Sequence, residues 1–207
     1  KTRKKIKSIV KEIKHQRSDA KIFETYHALH AISLAKEALK SGIERLVVVG
    51  GDGTLNEVVN GFFDHEGRLL NEQASLAIVP SGSGSDFVRS MKPKESLSES
   101  IDFAINGKPK LTDIGFVEAK DANDQQVSRH FLNVSSIGLS GLVAGFMRTI
   151  TRKMGPTAAY FLSTLKAMRA LEAHTIILTD EYGHERAINN SSLVSFANSE
   201  YYGRGMK

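Results

Sequence analysis

The sequence predicts an α/β protein whose first half is a parallel sheet wrapped by helices and whose second half, from about residue 111, is mainly antiparallel. Three observations carry that prediction. Leu46-Val47-Val48-Val49 and Leu76-Ala77-Ile78-Val79 are short apolar runs without alternation, the pattern of strands buried on both faces of a parallel sheet. Each run ends in a glycine-containing turn and then gives way to residues at helical spacing, as strand–turn–helix units require. After about residue 110 the texture changes to short strand-like pieces separated by turns rich in Gly, Asn and Asp.

Taken in order, residues 3–15 place Ile6, Ile9, Val10 and Ile13 on one helical face, with lysines on the other. The lysine run invites a nucleic-acid reading, but a solvated helix face is the simpler one. Residues 20–24 read as a short strand, and residues 28–41 as a second amphipathic helix stopped by Gly42. The first buried strand follows and empties into Gly50-Gly51-Asp52-Gly53-Thr54. Leu55, Val58, Val59 and Phe62 then keep helical spacing. The second buried strand ends in Pro80-Ser81-Gly82-Ser83-Gly84-Ser85-Asp86, and 86–105 reads as helix in two pieces broken near Pro93. Beyond it, Leu111–Val117, His130–Ser135, Thr175–Thr179 and Ser192–Ala197 read as strands. Turns are expected at Asp121–Asp124, Tyr182-Gly183 and Asn189-Asn190, and one helical stretch over roughly 139–172 is cut near Gly155-Pro156. The domain boundary is expected near residue 110, giving parts 1–110 and 111–207. Pieces are expected to be missing at both ends, because a sheet of this kind usually opens on a strand and the chain stops in a turn.

The 207 residues suffice for one large or two small domains. No run reaches the roughly 18 apolar residues of a membrane span, and the basic start lacks a signal-peptide pattern. Cysteine is absent, so disulfides and thiolate metal sites are excluded. A net charge of +5 favours polyanionic partners: nucleotides, nucleic acid or an anionic membrane face.

The chemistry concentrates on the Gly50–Thr54 turn. A strand emptying through glycines into a helix N-terminus exposes N–H groups with no intrahelical partner, and the helix dipole adds positive potential. Glycines allow phosphate oxygens to approach the backbone closely, and can supply φ > 0. Thr54 can donate its hydroxyl to a phosphate or cap the helix. Asp52 is the odd member, since a carboxylate beside phosphates calls for a divalent cation or for base duty toward a hydroxyl. The bland alternative is a structural turn with Asp52 as the N-cap of its helix. GxxxxGK[ST] occurs nowhere in the chain and the glycines do not follow G-x-G-x-x-G, so the site is neither a P-loop nor a dinucleotide fingerprint. The Ser81–Asp86 turn closes a neighbouring strand, with hydroxyls at Ser83 and Ser85 and Asp86 capping the next helix. Two such turns at adjacent C-terminal strand ends make one ligand crevice.

The string GGDGTLNEVVNG at 50–61, followed by PSGSGSDFVR at 80–89, resembles the diacylglycerol kinase catalytic family, which includes the bacterial lipid kinases and the sphingosine and ceramide kinases. Thr25 with His30-Ala31, Thr112-Asp113-Ile114-Gly115, the strand at 131–138 and the segment at 201–206 extend the resemblance over nearly the whole chain. The resemblance implies a Rossmann-like parallel α/β domain followed by an antiparallel β-sandwich, the arrangement shared by NAD kinases and diacylglycerol kinases. It implies ATP in the cleft between the two domains, Mg²⁺ as its companion, and a lipid hydroxyl as phosphoryl acceptor. By position, Thr25, Gly50, Gly51, Asp52, Gly53, Thr54, Leu55, Asn56, Glu57 and Ser83 would bind ATP. Asp52 would act near the reacting phosphate and Glu57 would support the site; no metal ligand is named. The implied setting is cytoplasmic and peripheral at the inner membrane face, with a lipid substrate at a membrane surface and no nucleic acid; a homodimer is kept open.

Three departures stand against the family pattern. The second turn reads Gly82-Ser83-Gly84-Ser85-Asp86 where the family usually has Gly-Thr-Gly-Asn-Asp. The family's opening Asn-Pro-x-x-Gly strand is absent. The strands that in bacterial members bring an acidic proton acceptor and a structural metal site would lie beyond Lys207. Two other readings therefore remain: an NAD kinase-like enzyme that phosphorylates a ribose hydroxyl, and a nucleotide-binding regulatory module without catalysis. Mixed basic and apolar residues at 146–169, among them Phe146, Met147, Arg148, Ile150, Arg152, Lys153, Met154, Lys166 and Arg169, suit contact with anionic headgroups or, equally, an ordinary solvated helix.

Overall fold

The computed structural model describes residues 2–81, 86–91, 96–121, 123–150 and 155–200. The chain divides into two compact units, one running to Asn133 and resuming at Asn198, the other spanning Val134–Ala197.

The first unit is organised on the parallel pair β1 (Arg45–Gly50) and β2 (Ser75–Pro80), in register from Arg45↔Ser75 to Gly50↔Pro80. Because side chains alternate across a strand, the two unbroken apolar runs feed two separate cores. Val47, Val49, Ala77 and Val79 face Ile9 and Ile13 of α1 (Thr2–Gln16) and Ile101, Ala104 and Ile105 of α5 (Leu97–Asn106). Leu46, Val48, Leu76 and Ile78 join Ala31, Ala35 and Leu39 of α2 (His30–Lys40), with Leu55, Val58 and Val59 of α3 (Asp52–Gly61). Ile9, Val59, Val79 and Ile101 are fully buried, and each such side chain contributes about 1.5–3 kcal/mol. The expectation of strands covered on both faces is met.

Local chemistry fixes the helices. Ser96 and Glu99 form a reciprocal capping box at the start of α5. At its other end Arg45 donates to the carbonyls of Ile105 at 2.6 Å and Gly107 at 2.9 Å, tying α5 to the first residue of β1. Where α2 crosses α3, a Cβ on Gly61 would lie 2.5 Å from Ala35 Cβ and 2.8 Å from the Ile32 carbonyl oxygen, so only glycine fits that approach. The short helix α4 (Asp86–Ser90) follows the second turn. The hairpin β3 (Gly115–Lys120) and β4 (Gln126–Phe131) completes the unit and packs on α3. The tip of the Phe131 ring lies against the backbone of Gly115, so a Cβ there would push the ring aside.

In the second unit β5 (Val134–Gly138) pairs antiparallel with β8 (Leu193–Ala197), and β6 (His174–Thr179) with β7 (Glu185–Ser191). Helix α6 (Leu139–Thr149) packs against α7 (Pro156–Ala170), whose small residues Ala159, Ser163 and Ala167 are its buried positions. The expected cut near Gly155-Pro156 is there: Gly155 takes φ 83° and Pro156 opens α7.

Four expectations on the elements change. Residues 20–26 form no ladder; Ile22 and Phe23 stay roughly half exposed, and without a neighbouring strand their β-propensity has nothing to pair with. The piece expected at 111–117 begins pairing only at Gly115, with Leu111 fully exposed. The single strand expected at 130–135 is two, because Leu132 turns into the first unit's core and Asn133 accepts from the Asn198 N–H at 2.8 Å. The turn expected at Asn189-Asn190 lies inside β7, where the β6–β7 register shifts between the pairs His174↔Ser191 and Ile176↔Ile188 and Asn190 takes φ 53°. Pro93 and the segment 201–206 lie outside the described residues.

Candidate functional site

The β1–β2 ladder ends at Gly50↔Pro80, and the Ser81 N–H continues it by donating to Gly50 O at 2.9 Å. The two turns therefore start side by side at the C-terminal edge of the parallel pair. Gly51 is the extended N-cap of α3 with φ −111°, and the first intrahelical bond runs from the Leu55 N–H to Gly51 O at 3.0 Å. The N–H groups of Asp52, Gly53 and Thr54 precede that bond and carry the positive end of the helix dipole. The Thr54 side chain lies over Gly50, where an added Cβ would come within 3.0 Å of Thr54 Cβ and 3.1 Å of its Oγ1. A Cβ on Gly53 would meet nothing within 4 Å.

These distances correct one expectation about the glycines. Neither Gly50, Gly51 nor Gly53 has positive φ, so left-handed backbone is not what they supply. Gly50 lets Thr54 pack closely over the turn, where a Cβ would crowd it, and Gly53 leaves open space against the helix N-terminus.

Asp52 differs from its bland alternative. It is the first residue of α3, not its cap. Its carboxylate reaches the next helix instead, Oδ2 accepting the Asp86 N–H at 3.1 Å and Oδ1 the Phe87 N–H at 3.3 Å. Asp52 thus caps α4 and fastens the far end of the second turn to the first. Glu57, one and a half turns further along α3, does the same for α2: its Oε2 accepts the Ala31 N–H at 3.2 Å. Both carboxylates of α3 serve helix N-termini other than their own.

The remaining candidates are placed as follows. Thr25 is exposed in the irregular segment before α2. Next to it the Tyr26 N–H donates to His30 Nδ1 at 3.2 Å, the His27 and His30 rings stack at 4.6 Å, and Leu29 takes the left-handed conformation at φ 66°. Through Glu57 this segment's helix is held beside α3. Asn56 is half-buried, and its carbonyl accepts from Asn60 Nδ2 at 2.8 Å. The Leu55 side chain belongs to the core and its N–H is already bonded, so it anchors the turn from behind. Ser83 lies outside the described residues, as do Gly82, Gly84 and Ser85.

Two features were not singled out from sequence. Lys5 Nζ donates to Pro80 O at 3.3 Å, which brings a cation from α1 to the edge where both turns begin. Its signal was present in the basic residues at the start of the first helix, opposite to the usual dipole preference. Asn60 meets the backbone of His130 twice, accepting its N–H at 3.0 Å and donating to its carbonyl at 2.8 Å. The His130 ring stacks on Phe63 at 3.7 Å beside Phe116, and burial pushes its pKa below the usual histidine range. Among the described residues no group of three or more His, Cys, Asp or Glu side chains is arranged to hold a metal.

The diacylglycerol kinase catalytic domain, as a family profile, matches residues 1–117. A diacylglycerol kinase of Staphylococcus carnosus is 34% identical over 116 residues, covering 56% of this chain and 33% of that protein. A diacylglycerol kinase of Bacillus subtilis is 32% identical over 146 residues, covering 70% of this chain and 41% of that protein. The chain thus spans well under half the length of these two curated relatives. Among solved structures, a Bacillus anthracis protein assigned to the diacylglycerol kinases superposes with a TM-score of 0.63 at 25% identity, over 98% of this chain and 63% of that one. The mixed α/β fold with parallel and antiparallel parts is the one the sequence predicts.

Proposed function

The chain belongs to the diacylglycerol kinase catalytic-domain family, and from that premise we propose that the protein carrying it transfers the γ-phosphoryl group of ATP to a hydroxyl of diacylglycerol or a related lipid. The observation that carries this reading is the Gly50–Thr54 turn, with three N–H groups ahead of the first helical bond and open room at Gly53. Phosphoryl transfer asks little covalent chemistry of a protein and much positioning and electrostatic stabilisation, which such a turn provides.

In this reading the N–H groups of Asp52, Gly53 and Thr54 and the Thr54 hydroxyl receive phosphate oxygens, with Gly50 and Gly51 allowing their approach. Thr25, Asn56, Glu57 and Ser83 flank the nucleotide, and Leu55 holds the turn to the core. Asp52 stands beside the reacting phosphate while keeping the second turn in place. When bound with ATP, Mg²⁺ would neutralise charge between the phosphates, and a single protein carboxylate such as Asp52 suits the way that ion is usually held. Residues 1–110 form the nucleotide-binding part and 111–207 the lipid-facing part. On α7, Phe161, Leu165 and Met168 are exposed at helical spacing beside exposed Lys166 and Arg169, a mixed apolar and basic face that suits a peripheral role at an anionic cytoplasmic leaflet. Among the described residues no helix is long and apolar enough to cross a membrane.

The test is transfer of label from γ-labelled ATP by the full-length protein to diacylglycerol, sphingosine and phosphatidylglycerol presented in mixed micelles. Label is expected in a lipid, diacylglycerol first. Label in NAD, or none in any lipid, would overturn the proposal.

A further inference from the structure

We infer that Lys5 is a phosphate-binding residue of the nucleotide site, a cation that α1 delivers to the polyphosphate on the Gly50–Thr54 turn; the inference rests on the ATP reading above. The placement follows from three linked contacts. Lys5 Nζ donates to Pro80 O at 3.3 Å, Pro80 is the register partner of Gly50, and the next residue, Ser81, bonds to Gly50 O. Neighbouring strands lie about 4.8 Å apart, so the ammonium is within one lysine-stem adjustment of the turn. An ammonium has three donors, and Pro80 engages one.

The charge pattern gives the reason for a cation here. The turn has no P-loop lysine, and apart from Arg89 the ionisable side chains identified on α3 and α4 are the carboxylates Asp52, Glu57 and Asp86. The arginine of α4, Arg89, lies 3.6 Å from Asp86 Oδ1, and Arg45 is committed to α5 carbonyls at the opposite end of β1. A polyphosphate settling among these groups needs a positive partner, and Lys5 stands at the edge where it would settle. Its cost to the empty protein points the same way. The first turn of α1 contains no acidic residue and carries Lys5, a like charge set against the positive end of the dipole. A bound polyanion converts that repulsion into attraction. A lysine needed only to satisfy the Pro80 carbonyl has no such logic, since a neutral amide donor would serve.

Lys5→Gln and Lys5→Arg in the full-length protein separate the two roles, with ATP and adenosine binding read by calorimetry and Tm measured without ligand. If Lys5 binds phosphate, Lys5→Gln weakens ATP binding about tenfold or more, the effect of losing one charge-assisted contact. Adenosine binding is unchanged, ligand-free Tm is equal or higher, and Lys5→Arg retains most of the ATP affinity. ATP affinity of Lys5→Gln equal to the unaltered protein overturns the inference while leaving the nucleotide reading intact. Equal losses for ATP and adenosine also overturn it, by assigning Lys5 to the Pro80 turn alone. Unaltered protein that binds no ATP overturns both.

Discussion

Removing the Asp52 carboxylate tests how the two turns are joined, and the expected size of the effect follows from its two bonds. Oδ2 and Oδ1 accept the N–H groups of Asp86 and Phe87 at 3.1 and 3.3 Å, in a partly buried setting. In Asp52→Ala both donors lose their acceptor at a helix N-terminus, a change that costs about 1–2 kcal/mol for one cap and about 2–3 kcal/mol when two partly buried donors are left unmet. In Asp52→Asn one amide oxygen remains while the amide nitrogen turns a donor toward a donor, so the cost falls to about 1–2 kcal/mol. Urea unfolding of the full-length proteins gives the ranking wild type, then Asn, then Ala, with unchanged m values. Hydrogen exchange at 86–88 should accelerate in the same order. Asp52→Ala unfolding at the wild-type midpoint, with 86–88 protected as before, would refute the cap. A separate loss of phosphoryl transfer in Asp52→Asn, larger than its modest destabilisation explains, is expected if the same carboxylate also stands at the reacting phosphate.

Other substitutions read other parts of the molecule. Gly53→Ala should leave folding intact and raise stability by about 0.5–1 kcal/mol, because helix propensity improves and the Cβ enters open space, while the KM for ATP rises; an unchanged KM would mean that phosphate does not approach there. Gly61→Ala should destabilise by about 1–2 kcal/mol, overpacking against Ala35 and the Ile32 carbonyl outweighing the propensity gain, as chemical denaturation can measure. Asp64, whose carboxylate accepts the Arg68 and Glu66 N–H groups and pairs with the Arg68 guanidinium, has its pKa lowered from 3.8 to about 2. A depressed carboxylate stabilises fully above its unfolded pKa and loses that contribution as pH falls through its folded one. Its share is therefore lost between about pH 4 and pH 2, and carboxyl chemical shifts of Asp64 should titrate near 2; a midpoint near 3.8 would contradict the turn.

What was legible in the sequence was whatever repeats locally. The runs at 46–49 and 76–79 declared strands covered on both faces, since a strand with one wet face would alternate. The first helix and the one after the glycine turn showed their apolar spacing, and α2 its stop at Gly42. What was illegible depends on partners far along the chain. Ile22 and Phe23 have strand composition, yet pairing is decided by a neighbour and not by the residues themselves. Asp52 and Glu57 looked like members of one phosphate motif. That each also reaches another helix's N-terminus, 34 and 26 residues away in sequence, is a fact of three-dimensional placement that spacing cannot encode. Lys5 was hidden for a different reason: within a lysine-rich segment nothing local distinguishes the one that meets Pro80.

The Asn60–His130 contact has a further consequence for how this sequence can change. A carboxamide offers one donor and one acceptor side by side, as a peptide group does, so α3 presents one peptide-like pair to β4. Both bonds land on main-chain atoms of residue 130, which every amino acid except proline possesses in full. The positional constraint is therefore one-sided. Residue 130 can drift through many identities without disturbing the join, whereas at position 60 even aspartate, lacking the donor, breaks it. Among relatives the pair should look uncorrelated, a fixed asparagine opposite a variable site, and a search for co-varying positions would pass over a contact that holds the hairpin to the helix.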